Sequence, residues 1–372
     1  MKLSTMLKFG LQPTRGIDYS SPVTVTTDNT HRYNGVCFLT STTGVIVYDE
    51  KCKIFTVSNG TVSLGDEQTW CAGTVAYIDV KRISDTQALI CWQNYSAPTY
   101  SMLACVLSLS AGTVTAGSSG VIETVQGGYT CLAMLSSTKA VAFYVASSNL
   151  ACSVLSVSGN SVTAETPVKI TTSGVNIIDV SCDVLSSTKA ICVYSDALDD
   201  KSIHAVIVNV SGTTATPTSP VSIEDSSYSG TTTAVLSDTK SVTFFTIADP
   251  SPKYNLNGNV LSVDGDTITP GTSQQEASGA YAIIRIRCAK MDPNKALIVF
   301  RKVTGSVEAG FSYYVSALVA MVGSTQISFG RTFDMVEIDS GTKNSLSLYG
   351  NQAIFVYIEA LSDDTKCLLL SV

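Results

Sequence analysis

One block of residues returns seven times along this chain: a hydrophobic residue, a polar turn, then a small residue opening an apolar strand that ends in an aromatic. The copies are Leu39–Tyr48, Ile83–Trp92, Leu135–Tyr144, Leu185–Tyr194, Leu236–Phe245, Met291–Phe300 and Leu348–Tyr357. Aligned on the small residue (Gly44, Ala88, Ala140, Ala190, Ser241, Ala296, Ala353), they stand 44, 52, 50, 51, 55 and 57 residues apart. A fixed period of this length marks a repeat architecture. Each block reads as a tight hairpin. Ser and Asp in the S-S-T-K and S-D-T-K tetrapeptides bond nearby backbone amides and so favour turns. The nearly continuous apolar run that follows suits a strand buried on both faces.

A third strand follows in each copy, such as Ala151–Ser158 or His204–Ser211, and turns at a Gly-containing pair. A fourth returns with polar alternation, as in SVTAETPVKI. Four antiparallel strands per repeat make a propeller blade, and a blade needs a neighbour on each face. The expected fold is therefore all-β, a seven-bladed β-propeller spanning residues 20–372, with residues 1–19 as an extension and attachment arm. After the seventh block the chain supplies one more strand, Thr365–Val372. Ser21–Thr27 (SPVTVTT) matches the outer-strand pattern of Glu165–Thr172 (ETPVKITT), so the N-terminal segment is expected to complete the last blade and close the ring.

The L-S-S-T-K-A block at Leu135–Ala140, followed by V-L-S-V-S-G at Val154–Gly159, resembles propeller repeats of bacteriophage and prophage structural proteins. The resemblance runs from Ser21 to the end and is one of repeat style. It implies a virion or tail-associated binding module, and it carries no family active site onto these residues.

Charged residues make up 14% of the chain against roughly a quarter in ordinary domains, and net charge is −7 with Lys and Arg scattered singly. Nucleic-acid binding needs clustered cations and is not expected. The 11 cysteines lack paired spacing and mostly sit in apolar runs, as reduced core residues do. The opening MKLSTMLKFGLQPTRG has no apolar run of signal-peptide length, and no segment approaches a membrane span. Assembly in a host cytoplasm, incorporation into a virion and no membrane insertion are the expectations.

Four lysines of the block, Lys139, Lys189, Lys240 and Lys295, would form a partial cationic ring on the turn face, or serve as solvated turn residues. The aromatic strand ends (Tyr48, Trp92, Tyr144, Tyr194, Phe245, Phe300, Tyr357) suit packing between blades, with sugar stacking as the functional alternative. The loops leaving those strands vary most, and they carry the candidate ligand-binding residues Tyr95, Tyr100, Tyr254, Arg301, Phe311 and Tyr313. Aromatics and Arg give large contact area at low rotamer cost.

No catalytic, metal or cofactor signature emerges. His31 and His204 lack ligand or nucleophile–base spacing, and Asp196, Asp199 and Asp200 lack the pattern of a calcium loop. The expected function is a non-enzymatic binding or structural module that recognises a cell-surface polysaccharide or docks on another virion protein, with self-association through the arm. The alternatives are a carbohydrate-active enzyme using a carboxylate pair among Asp79, Asp179, Glu308 and Glu337, or an intracellular scaffold.

Overall fold

The protein is described here by a computed structural model. It covers residues 17–28, 33–96, 99–172, 175–198, 202–225, 229–248, 254–276, 282–306, 310–338, 344–359 and 364–372. Among these residues there is no helix. Each repeat block is the hairpin between a first and a second strand, as the turn chemistry predicts. In the fourth unit Ile177–Ser186 pairs with Lys189–Asp196, which pairs with Ile203–Ser211, all antiparallel. The fourth strand differs from the reading above because it is broken in two. Thr214–Pro217 covers the end of the third strand and Val221–Glu224 its beginning.

Five such sheets stand alone, and the fifth and sixth units are joined into one sheet through the single parallel pair Tyr254↔Ala282. In the last sheet the N-terminal segment supplies the broken outer strand, in the same order. Asp18 and Tyr19 pair with Ser371 and Leu370, then Val23 and Thr24 with Cys367 and Lys366. The sheet takes in Asp18 and Tyr19, which the sequence reading assigned to the extension, and Ile17 beside them is buried.

The small residue of the block is explained by packing. All seven are buried, and a Cβ on Gly44 would lie 2.2 Å from the Cys37 carbonyl oxygen. The buried side chains fall into clusters that each draw on two consecutive units, as Cys91 and Ala104 do with Ala142 and Tyr144. One cluster joins the first unit to the last, setting Val36, Phe38 and Tyr48 against Ile354, Val356 and Leu369. Burial between sheets, at about 25 cal/mol per Å² of apolar surface, is thus what holds each unit to the next.

The first strands of consecutive units pack side by side, and Asn344–Tyr349 packs on Asn34–Phe38. They are pinned by side chains that accept the neighbour's backbone amides. Leu132 N donates to Asp79 Oδ2 (2.7 Å), Val235 N to Asp183 Oδ2 (2.7 Å), Cys288 N to Thr232 Oγ1 (3.1 Å) and Phe38 N to Ser347 Oγ (3.0 Å).

All eleven cysteines are free, and nine of them are buried. Burial pushes the Cys37, Cys52, Cys105, Cys152 and Cys367 thiols up to about 12. Since the thiolate is the reactive form, native protein at pH 8 should titrate slowly with a disulfide reagent, at Cys71 and Cys288 first. All eleven should react in guanidinium; rapid native reaction of the buried set would contradict this core.

Candidate functional site

Eleven residues before the small residue of each block stands the position that gives the molecule its most distinctive surface. In the first six repeats it is Tyr33, Tyr77, Tyr129, Asp179, Gly230 and Arg285. All six line one cavity of about 410 Å³, whose wall takes residues from the first strands of all seven units. Bulges interrupt the register here, between Ala76 and Asp79, Gly128 and Thr130, Ser229 and Thr231, and Ile284 and Arg287. Tyr77, Tyr129, Gly230 and Arg285 take positive φ (51°, 34°, 74° and 55°). A bulge re-aims a side chain away from the alternation of its strand, and three of these four are side chains that line the cavity.

The three tyrosines form a row across adjacent units. Ring centroids lie 4.9 Å apart for Tyr33 and Tyr77, and 5.1 Å for Tyr77 and Tyr129. Gly128 leaves room for the row, because a Cβ there would sit 3.2 Å from the Tyr77 ring. Burial raises the Tyr33 hydroxyl pKa, as do the charge of Tyr77 and a hydrogen bond with it. Burial also raises that of Tyr129, followed by the nearby Asp179 carboxylate, while Arg285 pulls it back. Both phenols stay protonated at neutral pH and act as neutral donors on an aromatic floor.

Beside the Tyr33 end of the row the lining is polar. Asn34 and Asn344 are 6% and 8% exposed. Ser345 Oγ donates to Asn34 Oδ1 (2.8 Å) and Asn344 Nδ2 to the Arg285 carbonyl (2.6 Å). That leaves Asn34 Nδ2 and Asn344 Oδ1 without a hydrogen bond among the described residues. Buried polar atoms in native proteins are satisfied almost without exception, so these two have hydrogen-bonding capacity left over for water or another polar group.

The carboxylates proposed from sequence have structural work. Asp179 accepts Val180 N and Thr231 N, both at 3.0 Å. Asp79 accepts Val80 N (2.9 Å) and Leu132 N (2.7 Å), and holds Lys81 at 3.6 Å. Glu337 lies on an outer strand opposite Tyr314, and Glu308 is outside the described residues.

The loop residues singled out from sequence fall in three places. Tyr95 and Tyr100 form a T-shaped pair at 5.0 Å, with Gln126 donating to the Tyr95 hydroxyl. Tyr254 sits in the strand pair that joins the fifth and sixth units. Arg301 lies over the Tyr313 ring at 5.5 Å, and Phe311 is exposed on the same hairpin. Of these, Arg301 neighbours the cavity, since it pairs with Ile284 beside Arg285.

The lysines do not gather an anion. Lys139 donates to the Gly212 carbonyl, Lys189 to the Gly265 carbonyl and Asp266, and Lys240 to Asn294, each in the next unit. Lys295 pairs with Asp292. The aromatic strand ends are buried, with Tyr48 and Tyr144 hydroxyls donating to Glu67 and Glu123 (2.8 Å each). His204 stacks on Tyr194 and shares a hydrogen bond with Ser202. Asp196 accepts the amides of Asn176 and Leu198; His31, Asp199 and Asp200 are outside the described residues.

No protein-family model matches this chain, and no curated protein does. Solved structures do. A lectin from Burkholderia pseudomallei superposes with a TM-score of 0.53 at 10% identity, over 87% of this chain and 92% of that one. The fold is propeller-like. A hypothetical selenium-binding protein from Sulfolobus tokodaii gives 0.55 at 6% identity, over 80% and 76% of the two chains. A protein from Lactobacillus plantarum gives 0.50 at 14%, over 81% and 84%.

Proposed function

We propose that the repeat units are the blades of a seven-bladed β-propeller, closed by the N-terminal edge strand, which binds carbohydrate in its central cavity without turning it over. The observation that carries this reading is the Tyr33–Tyr77–Tyr129 row lining one cavity with the polar side chains of Asn34 and Asn344. A sugar ring needs both, an apolar face to stack on and fixed partners for its hydroxyls. The likeness to a lectin supports it at the level of fold. The pinning of Asp79 and Asp179 by backbone amides favours binding over hydrolysis, which would require a carboxyl pair free to exchange protons. The style of the repeat adds the further proposal of a phage-like particle component, whose ligand would be a bacterial surface polysaccharide.

A glycan array probed with the labelled protein tests this, with product analysis of every hit. Tyr77→Ala and Tyr129→Ala should each weaken binding about tenfold or more, the scale of a buried aromatic contact. Released sugar would replace the binding reading with an enzymatic one. Binding that survives both substitutions would move the site to the Tyr95–Tyr100 pair.

A further inference from the structure

The cavity wall carries three cations, Lys81, Arg285 and Arg287, against two carboxylates, Asp79 and Asp179. This surplus stands out in a chain of net charge −7. Both carboxylates are engaged by backbone amides, and Lys81 is held by Asp79. Arg287 donates to the Ile286 carbonyl. Arg285 differs from these. It is exposed at its bulge, and its guanidinium makes no hydrogen bond or ion pair among the described residues.

Beside it in the ladder, Arg301 is half-buried over Tyr313. Burial and then the Arg285 charge draw the Arg301 pKa down to about 10. Two adjacent like charges, one of them partly desolvated, are costly together, and an anion set against them relieves the cost. Asn34 Nδ2, in the lining of the same cavity, is a buried donor with no hydrogen bond among the described residues.

Resting on the carbohydrate reading above, we propose that the cavity selects saccharides bearing an anionic group, a carboxylate or sulfate, which Arg285 receives while the sugar ring lies toward the tyrosines. The planar guanidinium suits a two-oxygen acceptor, and the local positive potential draws an anion in.

The test uses an array that prints acidic glycans beside their carboxyl-reduced or desulfated counterparts, followed by titration of the best matched pair. Wild type should prefer the acidic member tenfold or more, the scale of a charge-assisted hydrogen bond, and the preference should shrink as salt is raised. Arg285→Gln should bring the two members level, while Tyr129→Ala weakens both alike. Equal binding of the pair, still lost in Tyr129→Ala, would overturn the anion assignment and leave the carbohydrate reading standing. An acidic preference that persists in Arg285→Gln would also overturn the assignment. A blank array would overturn both readings.

Discussion

A chain shortened to begin at Thr27 should lose about 3–6 kcal/mol of unfolding free energy, since it forfeits two buried aliphatic side chains at roughly 1.5–3 kcal/mol each. Those side chains are Ile17 and Val25, 6% and 1% exposed. The loss is comparable to the whole stability of many domains, about 5–15 kcal/mol. It includes more than side chains, because the segment also covers a strand edge. Ser20 N donates to the Leu369 carbonyl (2.9 Å), Leu369 N to Ser20 Oγ (3.1 Å), and Lys53 of the first unit reaches the Val25 carbonyl (2.6 Å). Urea unfolding of the shortened and full chains measures the effect, and a peptide of residues 17–28 added in trans should restore part of it. An unchanged midpoint would mean that the first and last units hold together without this strand.

Asp183→Ala should destabilise the protein by about 1–3 kcal/mol, the cost of stranding a buried backbone donor. The donor is Val235 N on the adjacent first strand, 2.7 Å from Asp183 Oδ2. The pH dependence carries the sharper expectation. Burial raises the Asp183 carboxyl pKa, outweighing the amides of Val235 and Val184 and the charges of Lys81 and Lys290. Between the unfolded value of about 3.9 and the raised folded one, the folded state holds a proton that the unfolded state has released. Stability from this group is therefore full below the unfolded pKa and is lost as pH rises through the folded one. The gap between wild type and Asp183→Ala should narrow from pH 4 to pH 7. A gap that widens would mean that this carboxylate behaves as an ordinary ion-paired one.

The hairpins were legible because their chemistry is local. Ser136, Thr138 and Lys139 specify a turn, and the apolar run from Ala140 to Tyr144 specifies a doubly buried strand. The N-terminal edge strand was legible for the same reason, since Ser21–Thr27 carries the pattern of an outer strand without a partner nearby. The cavity was harder to see. Its tyrosines precede the small residue of the block by a constant eleven residues, but the same position holds Asp179, Gly230 and Arg285 elsewhere, so a search for recurring residue types passes over it. That those side chains line the cavity depends on bulges and positive φ values, which leave little mark on composition. The loop aromatics were attractive for their variability, yet Tyr95 and Arg301 belong to different units and only the latter neighbours the cavity. The polar alternation in VKRIS and SCDVLS was an available signal for first strands that pin one another.

The pairing of Ser20 with Leu369, 349 residues apart, also dictates an order of events at the ribosome. Inner units can dock on one another as soon as each emerges, because their partners are adjacent in sequence. Asp18–Thr26 must wait as a bare edge until Thr365–Ser371 has been made. A chain stalled or cleaved late in synthesis would thus carry an unpaired donor strand at one end and several finished sheets behind it. Such a species is disposed to pair with a neighbour on the same polysome, which gives translation speed over the last unit a direct influence on yield.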